Sequence, residues 1–132
     1  MIALDTNVLV RYIVQDQPAQ AAAAARLIER ECTEEAPGFV NLIVLCELVW
    51  VLGRGYRYSK KVIVSVLRQL LCSSELRIER SELAWKATRE LEKGGADFSD
   101  YLIGYLNSDQ QAEPTWTFDR AAAAAPGFRL LA

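Results

Sequence analysis

The chain has 132 residues, of which 52% are hydrophobic and 24% charged, and its formal net charge is −2. This length suits one domain over residues 1–132, and the slightly acidic balance argues against a protein that coats nucleic acid through bulk positive charge. No residue is histidine, which excludes Ser-His-Asp and Cys-His catalysis, histidine zinc sites and nucleases that use an imidazole acid or base.

Apolar runs and turn signals divide the first half of the chain into short elements. We expect a strand at 2–4, helices at 8–14 and 19–31, a minimal strand at 39–40 and a helix at 42–52. Pro18 suits the first turn of the second helix. The helix at 42–52 is apolar on nearly every side, so we expect it to be buried nearly all round.

The second half continues the alternation of helices and strands. We expect a helix from the Ser59 cap to about residue 72 and a strand at 76–78. We then expect a helix from Ser81 that ends at Gly94-Gly95, a helix from 97 to about 108, and strands at 115–118 and 128–131. Alternating strands and helices predict an α/β domain with a mainly parallel sheet covered by helices.

Cysteine content and the absence of targeting segments bear on location. The chain has an odd number of cysteines, Cys32, Cys46 and Cys72, and no CxxC motif. This pattern favours free thiols in a reducing compartment. The N-terminus lacks the basic flank of a signal peptide, and no apolar run reaches the roughly 18 residues of a membrane span. We therefore expect a cytoplasmic protein with no membrane contact.

Four acids fall where the predicted elements meet one edge of the sheet. Asp5 and Asp119 directly follow strands, Asp100 lies in the first turn of a helix, and Glu47 lies in the second turn of another. Parallel strands place their carboxyl ends, and the helix starts that follow them, at a common edge, where open α/β sheets bind ligands. We therefore expect these acids to gather in one cleft.

Each acid also has a structural explanation. Glu47 in an apolar helix would need a cation or an ion pair with an arginine, unless it lies at the helix edge. Asp5 could form an Asx turn or cap a helix, and Asp119 could cap the short helix after it. Asp97 fits an N-cap, and Asp100 near N3 would interact favourably with the helix dipole. These explanations leave the shared edge unexplained.

A cluster of carboxylates without histidine or cysteine ligands favours a hard cation. Several carboxylates repel one another, so they protonate or recruit metal, and oxygen donors select Mg²⁺ or Mn²⁺. Gly104 lies one turn after Asp100 on a polar stripe that includes Asn107, and we expect it to leave room for a ligand. The sequence thus predicts a site for one or two divalent ions.

The chain resembles the PIN-domain nucleases, specifically the VapC-type toxins of bacterial toxin–antitoxin modules. The similarity runs over essentially the whole chain in a fixed order, through the segments Asp5-Thr6-Asn7-Val8-Leu9, residues 45–52, residues 96–104, Thr117-Phe118-Asp119-Arg120 and Pro126-Gly127-Phe128. It implies a three-layer α/β/α PIN-like domain.

The resemblance also implies roles for individual residues. Asp5, Glu47 and Asp100 match the metal-binding acids, with Asp97 as the alternative to Asp100, and Asp119 matches a more variable fourth acid. Thr6, Asn7 and Thr117 match small polar residues that support the site. The implied activity is endonucleolytic cleavage of RNA by a Mg²⁺- or Mn²⁺-dependent enzyme. The implied partners are the RNA substrate, a cognate protein antitoxin and a second copy of the chain.

Basic residues suggest where RNA is held. Arg54, Arg57, Lys60 and Lys61 cluster with no acid among them, and Tyr56 and Tyr58 lie between them. Such a segment suits phosphate contacts and base stacking, although a solvated face or an antitoxin-binding surface is the alternative. Arg11 and Arg120, close in sequence to site acids, either clamp substrate or act as counter-ions.

Three rival functions remain open. A phosphatase of the haloacid dehalogenase type also begins with a strand and an aspartate, but it needs a second aspartate where this chain has Asn7. A DNA-directed PIN-like nuclease would share the same acids. A catalytically silent binding module would use those acids in structural ion pairs, because a fold alone does not establish activity.

Overall fold

The computed structural model describes all residues of the chain, from Met1 to Ala132. It contains six α-helices and four short strands. In chain order they are α1 (Thr6–Val14), α2 (Pro18–Glu31), β1 (Gly38–Val40), α3 (Leu42–Trp50), α4 (Lys60–Cys72), β2 (Leu76–Ile78), α5 (Ser81–Lys93), α6 (Phe98–Asp109), β3 (Thr115–Thr117) and β4 (Phe128–Leu130). A π turn (Val51–Gly55) extends α3, and a 3₁₀ turn (Ala122–Ala124) precedes β4.

The chain divides into two compact units, Met1–Ser81 and Glu82–Ala132. The first unit holds α1 to α4 with β1 and β2, and the second holds α5 and α6 with β3 and β4. All strand pairings are parallel. The predicted α/β class with parallel strands is therefore confirmed.

In the first unit, three parallel segments lie side by side. Strands β1 and β2 pair with Val40 opposite Ile78. The predicted first strand is reduced to one bridging residue, Ala3 opposite Phe39, because only two backbone hydrogen bonds hold it: Phe39 N donates to Ile2 O at 2.7 Å and Leu4 N donates to Phe39 O at 2.9 Å. Asp5, Asn41 and Glu79 follow these three segments and so lie at the same edge.

Apolar side chains from one face of each helix fill the core of the first unit. Leu9 of α1, Val40 of β1, and Leu45 and Leu48 of α3 are fully buried. Helix α1 packs against α2 and α3. Pro18 begins α2 as predicted, and the alanine-rich face of this helix is buried at Ala21 and Ala24, since small side chains permit close approach.

The expectation that the third helix is buried nearly all round is wrong. Val44, Leu45 and Leu48 are buried, but Ile43 is 73% exposed, Trp50 is 63% exposed and Glu47 is also exposed. Apolar composition cannot indicate which side of a helix has a packing partner. Here only one face meets the core, so the opposite face remains in solvent.

The second unit pairs β3 with β4, with Thr115 opposite Phe128 and Thr117 opposite Leu130. Its core contains Ala87 and Leu91 of α5 together with Phe98 and Leu102 of α6. The Thr88 hydroxyl is buried but donates to the Ala84 carbonyl at 2.7 Å, so it is not left without a partner. Helices α5 and α6 begin and end within two residues of the predicted bounds.

None of the chain's helices combines the length and apolar character needed to cross a bilayer. All three cysteines are free thiols: Cys32 is buried, Cys46 is half-buried and Cys72 is exposed. Burial raises the pKa of Cys46 to about 11, and burial followed by the nearby Glu31 charge also raises the pKa of Cys32.

Candidate active site

Asp5 lies at the point where the first extended segment turns into α1. Its extended backbone makes it the N-cap, and its Oδ1 accepts a hydrogen bond from the Thr6 N–H at 2.8 Å. The carboxylate is exposed and satisfies one of the unpaired donors of the helix start. The capping alternative is therefore observed, and it fixes the position of this carboxylate while leaving Oδ2 available.

Thr6 connects Asp5 to Glu47. The Thr6 hydroxyl is buried at the start of α1 and donates to Glu47 Oε1 at 2.6 Å, across 41 positions of sequence. Its own N–H is the group that Asp5 accepts. A hydrogen bond to an ionised carboxylate is shorter and stronger than one between neutral groups. One residue thus contacts both candidate acids of the first unit, Asp5 and Glu47.

Glu47 is not the buried, uncompensated charge that the sequence suggested. It lies on the exposed face of α3, with Ile43 one turn before it and Trp50 one turn after it. Its carboxylate is therefore solvated and requires neither a metal nor an arginine for stability. Glu47 therefore carries no burial cost that a metal would relieve, and its contact with Thr6 is what associates it with Asp5.

The remaining candidate acids, Asp97, Asp100 and Asp119, belong to the second unit and lie near the start of α6. Asp97 is the N-cap, and its N–H donates to Asp100 Oδ2 at 3.1 Å. Burial raises the pKa of Asp100, the hydrogen bond from the Asp97 backbone opposes this shift, and the charges of Asp97 and Asp119 add to it. The charges of Asp97 and Asp119 are therefore near enough to act on the Asp100 carboxyl.

Asp97 and Asp100 differ in their surroundings. Asp97 is exposed, whereas Asp100 is partly buried and has the desolvated carboxyl. Both roles predicted for this pair, the N-cap and the acid near N3, are present in α6. A desolvated carboxylate beside two other acids gains most from a bound cation.

Asp119 lies between β3 and the 3₁₀ turn. Its Oδ1 accepts hydrogen bonds from the backbone N–H groups of Ala121 at 2.8 Å and Ala122 at 3.3 Å. The Asp119 N–H in turn donates to Thr117 Oγ1 at 3.0 Å. Thr117 thus orients the backbone that carries Asp119. The side chain of Asp119 contacts the backbone before the 3₁₀ turn, but the N-cap of that turn is Ala121.

The polar stripe on α6 does not open onto a ligand. A Cβ on Gly104 would lie 2.8 Å from Phe128 Cε1 and 2.9 Å from the Pro126 carbonyl oxygen. Asn107, one turn later, donates from Nδ2 to Thr115 Oγ1 at 2.9 Å. The expectation that Gly104 leaves room for a ligand is wrong, because β4 and the loop before it occupy that space.

The basic residues proposed for RNA contact lie mainly on one segment of the first unit. Arg54 is on the π turn, Arg57 follows it, and Lys60 and Lys61 begin α4, all four exposed. Arg11 instead forms an ion pair with Asp16, at 3.2 Å, and is no counter-ion of Asp5 or Glu47. Asn7 is exposed, and with Arg11 it lines a cavity of about 330 Å³ between α1 and α2.

Two further residues near Asp5 and Glu47 were not predicted from the sequence. Glu79 follows β2 at the same edge as Asp5, and its Oε1 accepts from the Leu42 N–H at 2.9 Å at the start of α3. The strand-end rule that selected Asp5 would have found it. Trp50 is exposed one turn beyond Glu47, and only the assumption of a buried helix concealed it.

The oxygen donors present fit a hard divalent cation. Carboxylates and a threonine hydroxyl are the ligands and supporting groups that Mg²⁺ and Mn²⁺ prefer. Asp5 and Glu47 both contact Thr6, and the charges of Asp97 and Asp119 act on the Asp100 carboxyl. In neither unit do three or more such side chains stand in metal-binding geometry.

Comparison with known proteins identifies the family. No curated protein matches the chain. The model of the PIN domain matches residues 2–124 and so includes every acid described above. PIN domains are mostly metal-dependent nucleases, and they generally use divalent cations. Because the match covers nearly the whole sequence, this chain belongs to the PIN-domain family.

Proposed function

We propose that the protein is a metal-dependent endoribonuclease and the toxin of a toxin–antitoxin pair. The observation that carries the proposal is the Thr6 contact, which associates Asp5 with Glu47 in a chain of the PIN family. Asp5, Glu47 and Asp100 are the proposed metal ligands, with Asp97 as the alternative to Asp100. Asp119 is the proposed fourth acid.

The chain's own residues would bind, orient and position the reacting groups. Thr6 holds Glu47 through its hydroxyl, and the α1 backbone holds Asp5. Asp119 keeps one carboxylate oxygen beyond its two backbone contacts and is proposed to position the attacking water. A bound Mg²⁺ or Mn²⁺ would lower the pKa of water and neutralise charge on the phosphodiester.

Attack by an external water predicts the chemistry of the product. Such a reaction does not use the ribose 2′-hydroxyl as nucleophile, so it leaves a 5′-phosphate and a 3′-hydroxyl. The absence of histidine from these residues fits this route, since ribonucleases that form a cyclic phosphate commonly rely on imidazole. A 2′,3′-cyclic phosphate product would refute it.

The toxin assignment extends to partners and location. We propose that a cognate protein antitoxin inhibits the enzyme and that two copies of the chain associate. The exposed apolar side chains Ile43 and Phe118 offer surface for such contacts. The three free cysteines suit a reducing cytoplasm.

The decisive experiment incubates the purified protein with total cellular RNA in Mg²⁺ or in EDTA and maps new 5′ ends. We expect Mg²⁺-dependent cleavage at discrete sites, abolished by Asp5→Asn and by Glu47→Gln while circular dichroism stays native. Glu29→Gln, an exposed acid on α2, is the matched control and should cleave normally. Cleavage of DNA in preference to RNA would support the DNA-directed alternative, and full activity of Asp5→Asn would contradict the site.

A further inference from the structure

An aromatic residue and a basic residue continue the helix face that carries Glu47. Glu47, Trp50 and Arg54 are spaced three and four residues apart along α3 and the π turn, and all are exposed. Residues at this spacing share one face of a helix. At about 1.5 Å per residue, Arg54 lies about 10 Å beyond Glu47 along that face.

Beyond the π turn, positive charge continues without neutralisation. Arg57 and Lys61 are exposed, and neither they nor Arg54 form an ion pair with a carboxylate. Helix α4 has no acid in its first turn, where Lys61 lies. A cation at that end opposes the helix dipole, so Lys61 does not stabilise the helix that carries it. These charges are available for an anionic partner.

The segment between these residues is held in place before any ligand binds. The Tyr56 hydroxyl donates to Asp16 Oδ2 at 2.9 Å and accepts from Arg11 Nη1 at 3.1 Å, while Arg11 also pairs with Asp16 at 3.2 Å. The Tyr58 ring centroid lies 6.2 Å from that of Tyr56. A fixed segment loses less conformational entropy when it binds a ligand.

Arg57 has an uncommon backbone geometry. Its φ is 58°, in the left-handed region that residues other than glycine rarely adopt. It directly follows the anchored Tyr56 and stands between Arg54 and Lys61 in sequence. Together with the preceding π turn, this conformation ends the helical path of α3 and begins the loop that leads to Lys61.

We propose that Trp50, Arg54, Arg57 and Lys61, here called the Trp50–Lys61 surface, bind single-stranded RNA. A base stacks on the Trp50 indole, and phosphates contact the three basic side chains. At about 3.4 Å per stacked nucleotide, the distance from Glu47 to Arg54 spans about three nucleotides. This inference rests on the proposed function, because it places the surface on the helix face of the proposed ligand Glu47.

The first test measures binding in EDTA, so that no cleavage occurs, by fluorescence anisotropy of a labelled random-sequence RNA of about twelve nucleotides. We expect Trp50→Ala to weaken binding about 5-fold or more, and Trp50→Phe to retain most of the affinity. Replacing Arg54, Arg57 and Lys61 together by alanine should lower the slope of log affinity against log salt by about 2.

A control triple variant removes the same charge elsewhere in the first unit. Arg26, Arg30 and Arg77 are exposed, and their joint replacement by alanine should change the salt slope less than half as much. An equal reduction of the salt slope in the two triple variants would overturn the proposal, because bulk charge would then explain binding. Unchanged affinity of Trp50→Ala would also overturn it.

A second test measures the fluorescence of Trp50 itself. The Trp85→Phe/Trp116→Phe variant keeps Trp50 as its single tryptophan, and we expect RNA to quench its fluorescence at constant protein concentration. Emission that changes on protein dilution but not with RNA would instead assign this face to a second copy. If polyglutamate displaced the labelled RNA as effectively as unlabelled RNA does, this face would be assigned to an acidic protein.

Cleavage assays separate this inference from the proposed function. If the Trp50–Lys61 variants cut RNA in Mg²⁺ with the same KM as the native chain, the surface proposal fails and the nuclease proposal stands. If the native chain binds RNA through this surface but never cuts it, the nuclease proposal fails and the binding surface stands.

Discussion

At the scale of single residues, Thr6 contributes most to the candidate site. Its N–H and its hydroxyl contact different acids, so its side chain determines how Glu47 lies relative to the start of α1. A serine would preserve both contacts. A valine would preserve the shape and the N–H but would remove the hydroxyl donor.

Thr6→Val is therefore expected to lower activity by more than its effect on folding explains. We expect a stability loss of about 1 kcal/mol in urea denaturation, because Glu47 is exposed and water replaces the lost donor. The Mg²⁺ concentration for half-maximal RNA cleavage should rise at least several-fold, and Thr6→Ser should behave like the native chain. An unchanged Mg²⁺ requirement in Thr6→Val would contradict a positioning role.

Asp100 gives a prediction about pH. Its pKa is raised in the folded protein above its ordinary value of 3.8, first by burial, so ionised Asp100 destabilises the fold. That penalty is absent at pH values below 3.8 and grows as pH rises through the folded pKa. Asp100→Asn should therefore raise the melting temperature of the metal-free protein at neutral pH.

The same substitution supplies its own control at low pH. Asparagine keeps an oxygen acceptor for the Asp97 N–H, so little else changes at the start of α6. In scans in EDTA, the difference in melting temperature between Asp100→Asn and the native chain should shrink toward zero as pH falls to about 3.8. A difference that is independent of pH would show that ionisation is not its cause.

At the scale of elements, sequence patterns located most of the helices, because short-range chemistry decides where helices begin. The Ser59 hydroxyl accepts from the Val62 N–H, Pro18 begins α2, and Asp97 caps α6. Each of these signals acts over three or four residues and is visible in a single sequence. The π turn carries no such signal, and the first strand was overestimated because its pairing depends on Phe39, far along the chain.

Packing between elements was less predictable than their positions. Gly104 was assigned to a ligand because small residues accompany both binding sites and close packing, and only the positions of Phe128 and Pro126 distinguish the two. The burial of α3 was overestimated for a related reason. Hydrophobic composition shows which residues tolerate burial but not which of them are buried, and Ile43 and Trp50 are exposed.

Gly104→Ala tests the packing interpretation. The added methyl would contact Phe128 and Pro126 closer than an ordinary Cβ contact, so we expect a net loss of about 1–2 kcal/mol in denaturant unfolding after the gain in helix propensity. Gly95→Ala is the matched control, because nothing lies within 4 Å of its added Cβ. A stabilising Gly104→Ala would contradict close packing at this position.

At the scale of the whole molecule, topology was the strongest part of the sequence argument. The rule that parallel strands end at one edge selected Asp5, and α3 begins at that same edge through Asn41, which explains why Glu47 lies within reach. The rule says nothing about hydrogen bonds. The Thr6 contact and the backbone contacts of Asp119 depend on distances that only coordinates provide.

Metal binding should appear as a change in global stability. A ligand that binds only the folded state adds about 2.7 kcal/mol at one hundred times its dissociation constant. We expect Mn²⁺ or Mg²⁺ to raise the melting temperature of the native chain and to have little effect on Glu47→Gln. Equal stabilisation of both proteins would indicate that the cation binds elsewhere.

The different environments of the three thiols have a practical use. Thiolate is the reactive form of cysteine, so Cys32 in the core and Cys46, with its pKa of about 11, should react slowly with maleimides at neutral pH. Exposed Cys72 ends α4, and we expect mass spectrometry to find one rapid adduct there, against three after denaturation. A fluorophore attached to Cys72 would report on the first unit while leaving the acids near α1 unmodified.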